Sequence, residues 1–314
     1  MKGLPTMNSI INDNYSIYQD DCYKFIKSLP DKSVDCIIID PPYEKIAGGG
    51  GGCFGLEHRS YLTETSNDNL WSGLDLSIID DMFRVCKVPN FYVWCSKKQM
   101  YKLLTEFVEK RKCSFNLLTW NKSNPIPASY NRYLLDTEYC LFFRKGARLY
   151  GSYHTKKTFR VLPVNKADKK LYNHPTIKPV SILEDFIENS TLPGDTVLDM
   201  FMGTGSTGVA AVNKGRKFIG VEIKPGYFAT ASSRLEEAVR NRENSEVSPQ
   251  IEHDKEELEN MELLPDNCDS FPVPRIEDEE LADFFNKLKD KMPECDTRKA
   301  SPEAIKEMAS RLGL

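Results

Sequence analysis

From Thr196 to Glu222 the chain spells out a succession that few folds accept. Thr196-Val197-Leu198-Asp199-Met200-Phe201 reads as a strand, running into Met202-Gly203-Thr204-Gly205-Ser206-Thr207-Gly208 and then the helix Val209 to Asn213. A second strand, Lys217 to Glu222, follows and ends in an acid. Parallel strands need a crossover helix, so strand, helix and strand at this spacing argue an open α/β sheet. Gly203 and Gly205 let the backbone approach a ligand at a helix N-terminus. A carboxylate at Glu222 is placed to take two ribose hydroxyls. This pattern alone fits many nucleotide folds, a dinucleotide-dependent oxidoreductase included.

The rest of the chain up to Arg240 supports the same class. Strands are expected at Tyr15 to Tyr18, Cys36 to Ile39, Phe91 to Cys95, Phe115 to Trp120 and Tyr139 to Phe143. Apolar residues at helical spacing place helices after Asp21, over Leu76 to Val85, over Lys98 to Lys110, and around Ile182, Leu183, Phe186 and Ile187. Alternating strands and helices argue a doubly wound, mostly parallel α/β sheet.

The most unusual stretch is Asp40-Pro41-Pro42-Tyr43, directly after the apolar run Cys36-Ile37-Ile38-Ile39. Neither proline donates a backbone hydrogen bond and each fixes its own φ, so the turn is rigid. Turns at the carboxyl ends of strands in such sheets are where ligands bind. Asp40 offers a carboxylate, Pro41 a carbonyl and Tyr43 an aromatic face, a set that suits a planar exocyclic amine. A strand-ending turn without chemistry is the alternative. Gly48 to Gly52 follow, readable as a linker or as a mobile lid.

Nine cysteines are scattered, odd in number and never spaced C-x-x-C, which suits free thiols in a reducing cytoplasm. The four histidines are too dispersed to complete a metal site, so no metal is expected. No apolar run approaches membrane-spanning length, and the start lacks a signal-peptide pattern. The net charge of −4 hides an asymmetry: the chain from Asn241 onward carries −10 and the preceding body +6. A basic body is compatible with a polyanionic partner. The stretch Arg144 to Lys170 holds nine basic residues against Asp168 alone, interleaved with Tyr150, Tyr153, His154 and Phe159. Such a mixture suits a surface that meets phosphate and bases, or a solvated insertion.

Together these pieces resemble the β-class amino-methyltransferases of DNA, over about residues 15 to 240. Asp40-Pro41-Pro42-Tyr43 resembles their catalytic motif, and Asp199-Met200-Phe201-Met202-Gly203-Thr204-Gly205 their D-x-F-x-G-x-G cofactor loop. His174-Pro175-Thr176-Ile177-Lys178-Pro179 resembles the H-P-T-x-K-P element, and Trp120 to Pro127 the W-x-K-x-N-P-x-P target loop. Asp20-Asp21-Cys22 also matches. The catalytic motif precedes the cofactor motif, the circularly permuted order of that class.

The resemblance implies a Rossmann-like fold and S-adenosyl-L-methionine as cofactor, held by Asp21, Thr176, Lys178, Asp199, Phe201, Gly203, Gly205 and Glu222. It implies double-stranded DNA as partner, met by Lys122, Asn124, Lys156, Lys157 and Arg160, with residues 144–172 as the candidate target-recognition segment. Asp40, Pro41, Pro42 and Tyr43 would act on a base swung out of the duplex. Asp at the first motif position favours adenine N6 over cytosine N4. No Pro-Cys pair exists for attack at cytosine carbon 5. A non-catalytic nucleic-acid-binding module on the same fold is the competing reading, and the intact Asp40, Tyr43, Gly203, Gly205 and Glu222 speak against it. Residues 241–314 have no counterpart in the resemblance. Asn241 to Arg275 reads as a disordered acidic linker. Leu281, Phe284, Phe285 and Leu288, then Ile305, Met308, Ala309 and Leu312, form two amphipathic stripes suited to packing on the body, on a second copy or on a partner.

Overall fold

The computed structural model describes residues 8–43, 73–125, 131, 133–172 and 177–261. Its strands are β1 (Ser9–Ile11), β2 (Tyr15–Tyr18), β3 (Cys36–Ile39), β4 (Asn90–Cys95), β5 (Ser114–Lys122), β6 (Thr137–Arg144), β7 (Phe159–Leu162), β8 (Thr196–Asp199) and β9 (Lys217–Val221). The helices are α1 (Cys22–Ser28), α2 (Ile78–Val85), α3 (Lys97–Leu104), α4 (Lys166–Leu171), α5 (Val180–Ser190), α6 (Ser206–Asn213) and α7 (Pro225–Met261). The strands form one sheet in the order β1-β2-β9-β8-β3-β4-β6-β5-β7.

From β2 to β4 every neighbour is parallel, while β6 runs antiparallel to both β4 and β5. The chain leaves β3 toward β4 on one side, whereas β8 leads to β9 on the other. The order therefore reverses between β3 and β8, and ligands in open α/β sheets bind at such a point. Both faces of the sheet are covered, which is why β3 is an unbroken apolar run. Cys36 and Ile38 enter a cluster with Phe186, Ala210 and Leu235. Ile37 and Ile39 face Phe25, Met82 and Phe107 on the other side.

Four local expectations need correction. The helix expected through Lys110 changes at Thr105 into a π-helical segment, Thr105–Lys110, in which Phe107 lies flat on Phe143 with ring centroids 4.3 Å apart. Asn121 and Lys122 extend β5 instead of opening a loop. No strand was expected in the basic stretch after Arg144, and it contains one. It supplies β7, which pairs in parallel with β5, and the Trp120 indole donates to the Leu162 carbonyl at 3.0 Å. Its strand signal was masked by alternation of exposed apolar residues with half-buried ones.

The fourth concerns Asn241 to Met261, which continues α7 as helix rather than linker. Extending a nucleated helix costs far less than starting one, and Glu, Gln, Lys and Leu are good helix formers. By internal contacts the chain divides at Ile251 into two units. The glycine run, His174 to Thr176 and both amphipathic stripes lie outside the described residues.

Candidate active site

β3 ends at Ile39, so Asp40 emerges at the switch point with Pro41 buried behind it. The turn is pinned from α3. Gln99 is buried; its Oε1 accepts from the Ser96 N–H (3.0 Å) and hydroxyl (2.8 Å). Its Nε2 donates to the Pro42 carbonyl at 2.9 Å. Sequence reading missed Gln99, whose only signal was the Ser-x-x-Gln start of a helix.

Asp40 stands in a chain of alternating charge. The Lys178 ammonium, from the turn before α5, donates to Asp40 Oδ2 at 2.5 Å. It lies 3.1 Å from Glu138 Oε2, close but without hydrogen-bond alignment, and 3.4 Å from the Tyr43 hydroxyl. Glu138 Oε1 in turn meets Lys122 Nζ at 2.7 Å. Lys178 is 5% exposed and sits 5.0 Å from the Trp94 ring centroid and 5.6 Å from that of Tyr43. Burial lowers the lysine's proton affinity, but Asp40 and Glu138 more than reverse this, so it remains a cation. Burial pushes Asp40 above the ordinary carboxylate value, with Lys178 opposing the rise. Burial also works against Glu138, yet Lys178 and Lys122 together bring it down to about 2. Burial, then Asp40, raise the Tyr43 phenol well above its usual value. Asp40 Oδ1 is buried and has no hydrogen-bond partner among the described residues.

The other half of the site lies beyond β8. Gly203 and Gly205 have φ of 53° and 81°, the left-handed region in which a side chain would be strained. A Cβ on Gly205 would also stand 3.0 Å from the Ala231 side chain of α7. The Gly203 N–H donates to Glu222 Oε2 at 3.0 Å, and the Lys224 N–H to Oε1 at 2.8 Å. Each oxygen of that buried carboxylate thus keeps a lone pair. Burial raises Glu222, with the two backbone donors opposing. Asp199 is spent on the loop itself, accepting from the Phe201 N–H (2.9 Å) and the Thr207 hydroxyl (2.6 Å). Its burial pushes it up to about 7. Arg234 of α7 clamps the same loop through the Thr204 carbonyl (2.7 Å) and the Ser206 hydroxyl (3.2 Å), with Tyr172 stacked 4.2 Å away. Asp21 caps α1 through the Tyr23 N–H at 2.9 Å, and Tyr23 meets Phe201 edge-on.

This donor set fits S-adenosylmethionine. Glu222 has two lone pairs for a ribose diol, Phe201 offers an aromatic face, and the glycine turn brings bare backbone to the crevice. Thr176 lies outside the described residues. Lys178, from the H-P-T-x-K-P element, lies beside Asp40.

Of the five residues expected to meet DNA, three are engaged by other groups of the protein. Lys122 is paired with Glu138. Asn124 donates to the Val164 carbonyl at 3.1 Å and accepts from the Val164 N–H at 2.6 Å, latching β5 to the segment after β7. Arg160 pairs with Asp185 of α5 at 2.7 Å and donates to the Thr155 carbonyl. Lys156 and Lys157 are exposed. Among the described residues no cluster of three His, Cys, Asp or Glu could hold a metal, and no helix is long and apolar enough to cross a membrane.

An α/β sheet with a glycine turn and acid on one side of its switch point, and a buried, half-paired carboxylate on the other, fits an S-adenosylmethionine-dependent methyltransferase. The chain belongs to the DNA methylase family, whose model matches residues 34–233. It is 30% identical over 246 residues to the type II methyltransferase M2.DpnII of Streptococcus pneumoniae, covering 70% of this chain and 89% of that protein. To M2.MboI of Moraxella bovis it is 27% identical over 264 residues, covering 76% and 94%. The M1.HpyAVI–SAM complex superposes with a TM-score of 0.51 at 28% identity, over 70% of this chain and 99% of that one. The cytosine-N4-specific PvuII DNA methyltransferase, at 20% identity and a TM-score of 0.55 over 74% and 92%, shares the fold. The protein is a DNA methyltransferase that uses S-adenosyl-L-methionine.

Proposed function

We propose that Asp40 and Tyr43 receive an adenine extruded from duplex DNA and direct its N6 toward the methyl donor. The observation that carries this reading is the half-used carboxylate of Asp40. Oδ2 is held by Lys178 and Oδ1 is buried without a partner. An unsatisfied buried acceptor costs about 1–3 kcal/mol, so the free site carries a deficit that an incoming N–H removes.

The amine is unreachable inside the stack, so the base leaves it, and Tyr43 stacks on the exposed ring. Asp40 Oδ1 accepts one N6 proton and the Pro41 carbonyl the other, turning the nitrogen lone pair away from the ring. When bound, S-adenosylmethionine supplies an electrophilic methyl carbon on sulfur. Glu222 and the Gly203–Gly205 turn hold the cofactor that supplies this methyl to the N6 lone pair, and Asp40 takes the proton that nitrogen sheds. Preorganised acceptors and in-line placement contribute the acceleration. Glu222 holds the ribose of the cofactor, while Asp199, Asp21 and Arg234 keep that pocket in shape.

Residues 144–172 form the DNA-facing segment, with Lys156 and Lys157 on phosphates. Lys122, Asn124 and Arg160 hold that segment in position. The enzyme works in the cytoplasm, and its type II relatives suit a role in restriction–modification. Methylation of a defined plasmid followed by mapping of the modified bases tests the reading. N6-methyladenine at a fixed short sequence is expected; N4-methylcytosine, or no modification, would refute it.

A further inference from the structure

Glu138 stands inside the site without a task in the reaction as proposed. It lies on β6 directly across from Trp120 of β5, and Lys122, two residues along the same face, reaches it diagonally. Its other oxygen faces the Lys178 ammonium. Lys122, Glu138, Lys178 and Asp40 thus alternate in sign from β5 to the catalytic turn.

We propose that Glu138 is a positioning residue for methyl transfer: by drawing the Lys178 ammonium to its own side, it confines that ammonium to Asp40 Oδ2 and keeps Oδ1 open for the target amine. This rests on Asp40 being the acceptor of that amine. An ammonium carries three protons and a carboxylate four lone-pair sites, so a buried lysine facing Asp40 alone would bridge both oxygens. The geometry shows the opposite. Lys178 makes one short contact, to Oδ2, and its remaining reach goes to Glu138 at 3.1 Å and Tyr43 at 3.4 Å. Glu138 can pull because it is itself fixed, with Lys122 on its far oxygen at 2.7 Å.

The test compares Glu138→Gln, Lys178→Met and the double variant in single-turnover methylation of the mapped site, at a temperature where all are folded. Glu138→Gln is expected to slow the step about 10²-fold, the scale of a small misplacement of a reacting group. Its affinity for S-adenosylmethionine, by calorimetry, should be unchanged. In the Lys178→Met background the same change should cost nothing further, because the effect passes through the lysine. A second readout needs no chemistry. With S-adenosylhomocysteine bound, the wild type should prefer a duplex carrying adenine over one carrying purine, which lacks the amine, and Glu138→Gln should lose that preference. Should Glu138→Gln not fold, Glu138→Asp carries the same comparisons. Equal losses in both backgrounds, or a preference for adenine retained by the variant, would overturn the role of Glu138 alone. A wild type that methylates no DNA would overturn the proposed function and this role with it.

Discussion

Lys178→Met leaves two carboxylates facing each other across the space where a cation stood. Lys178 is 5% exposed, Asp40 24% and Glu138 16%, so none is wet enough for solvent to compensate. Removing one partner of a buried pair costs about 3–5 kcal/mol. At about 2–4 °C per kcal/mol for a body of this size, Tm should fall by about 6–20 °C near neutral pH. The pH dependence identifies the cause. Lys178 has its proton affinity raised in the fold, so its contribution is fully present below its ordinary titration range and is constant from pH 5 to 8. Glu138, depressed to about 2, contributes stability present above the ordinary carboxylate value and lost as pH falls toward 2. Without the lysine, both carboxylates move up and the folded state binds protons that the unfolded chain does not. The deficit of the variant should then grow from pH 5 toward neutrality by about 1.4 kcal/mol per pH unit for each carboxylate kept protonated. Thermal unfolding of both proteins at pH 5, 6, 7 and 8 measures it. A gap independent of pH, or smaller than about 1 °C, would refute the coupling of Lys178 to the two acids.

Asp40→Ala should abolish methyl transfer while the affinity for S-adenosylmethionine stays nearly intact; equal loss of both would place Asp40 in the cofactor pocket instead. Glu222→Ala should weaken S-adenosylmethionine by about 1.5–3 kcal/mol in calorimetry, through loss of a charge-assisted bidentate contact. Neutralising Lys156 and Lys157 together should weaken DNA binding and reduce the slope of log affinity against log salt by about 2. Arg160→Ala should instead lower Tm, since its guanidinium ties β7 to Asp185 of α5; an effect on the salt slope with unchanged stability would return it to the phosphate contacts.

The legible parts of this fold were those whose sequence signal is local. β3 announces itself because a strand buried on both faces must be apolar throughout, and its end is fixed by two prolines. Gly203 and Gly205 could be read as a ligand-approaching turn, and their φ values show why glycine is needed there. Glu138 could not be found that way. An acid before an apolar run reads as the solvated end of a strand, and its partners Lys122 and Lys178 lie on elements distant in sequence. Lys122 was assigned to DNA through its place in the target-loop motif, and Arg160 through the basic composition of its segment. Composition counts charges but not the acids, Glu138 and Asp185, that tertiary packing sets against them. β7 was hidden because an edge strand with an exposed face lacks the apolar run that marks a buried one.

The four alternating charges are not explained by stability. Replacing a buried ion network with apolar residues of similar volume is often neutral or stabilising. The arrangement also leaves one carboxylate oxygen, Asp40 Oδ1, without a partner, which a core built only to be stable would avoid. In the reaction as proposed, the charges fix which Asp40 oxygen is taken and which is left. Burial raises Asp40 above the ordinary carboxylate value. The Lys178 cation opposes that rise and holds one oxygen, leaving the other to the amine in the reaction as proposed. Glu138 and Lys122 then hold the cation in turn, and the chain ends on β5, the strand next to the basic segment. Lys122 on β5 is thereby joined to Asp40 through three ion pairs.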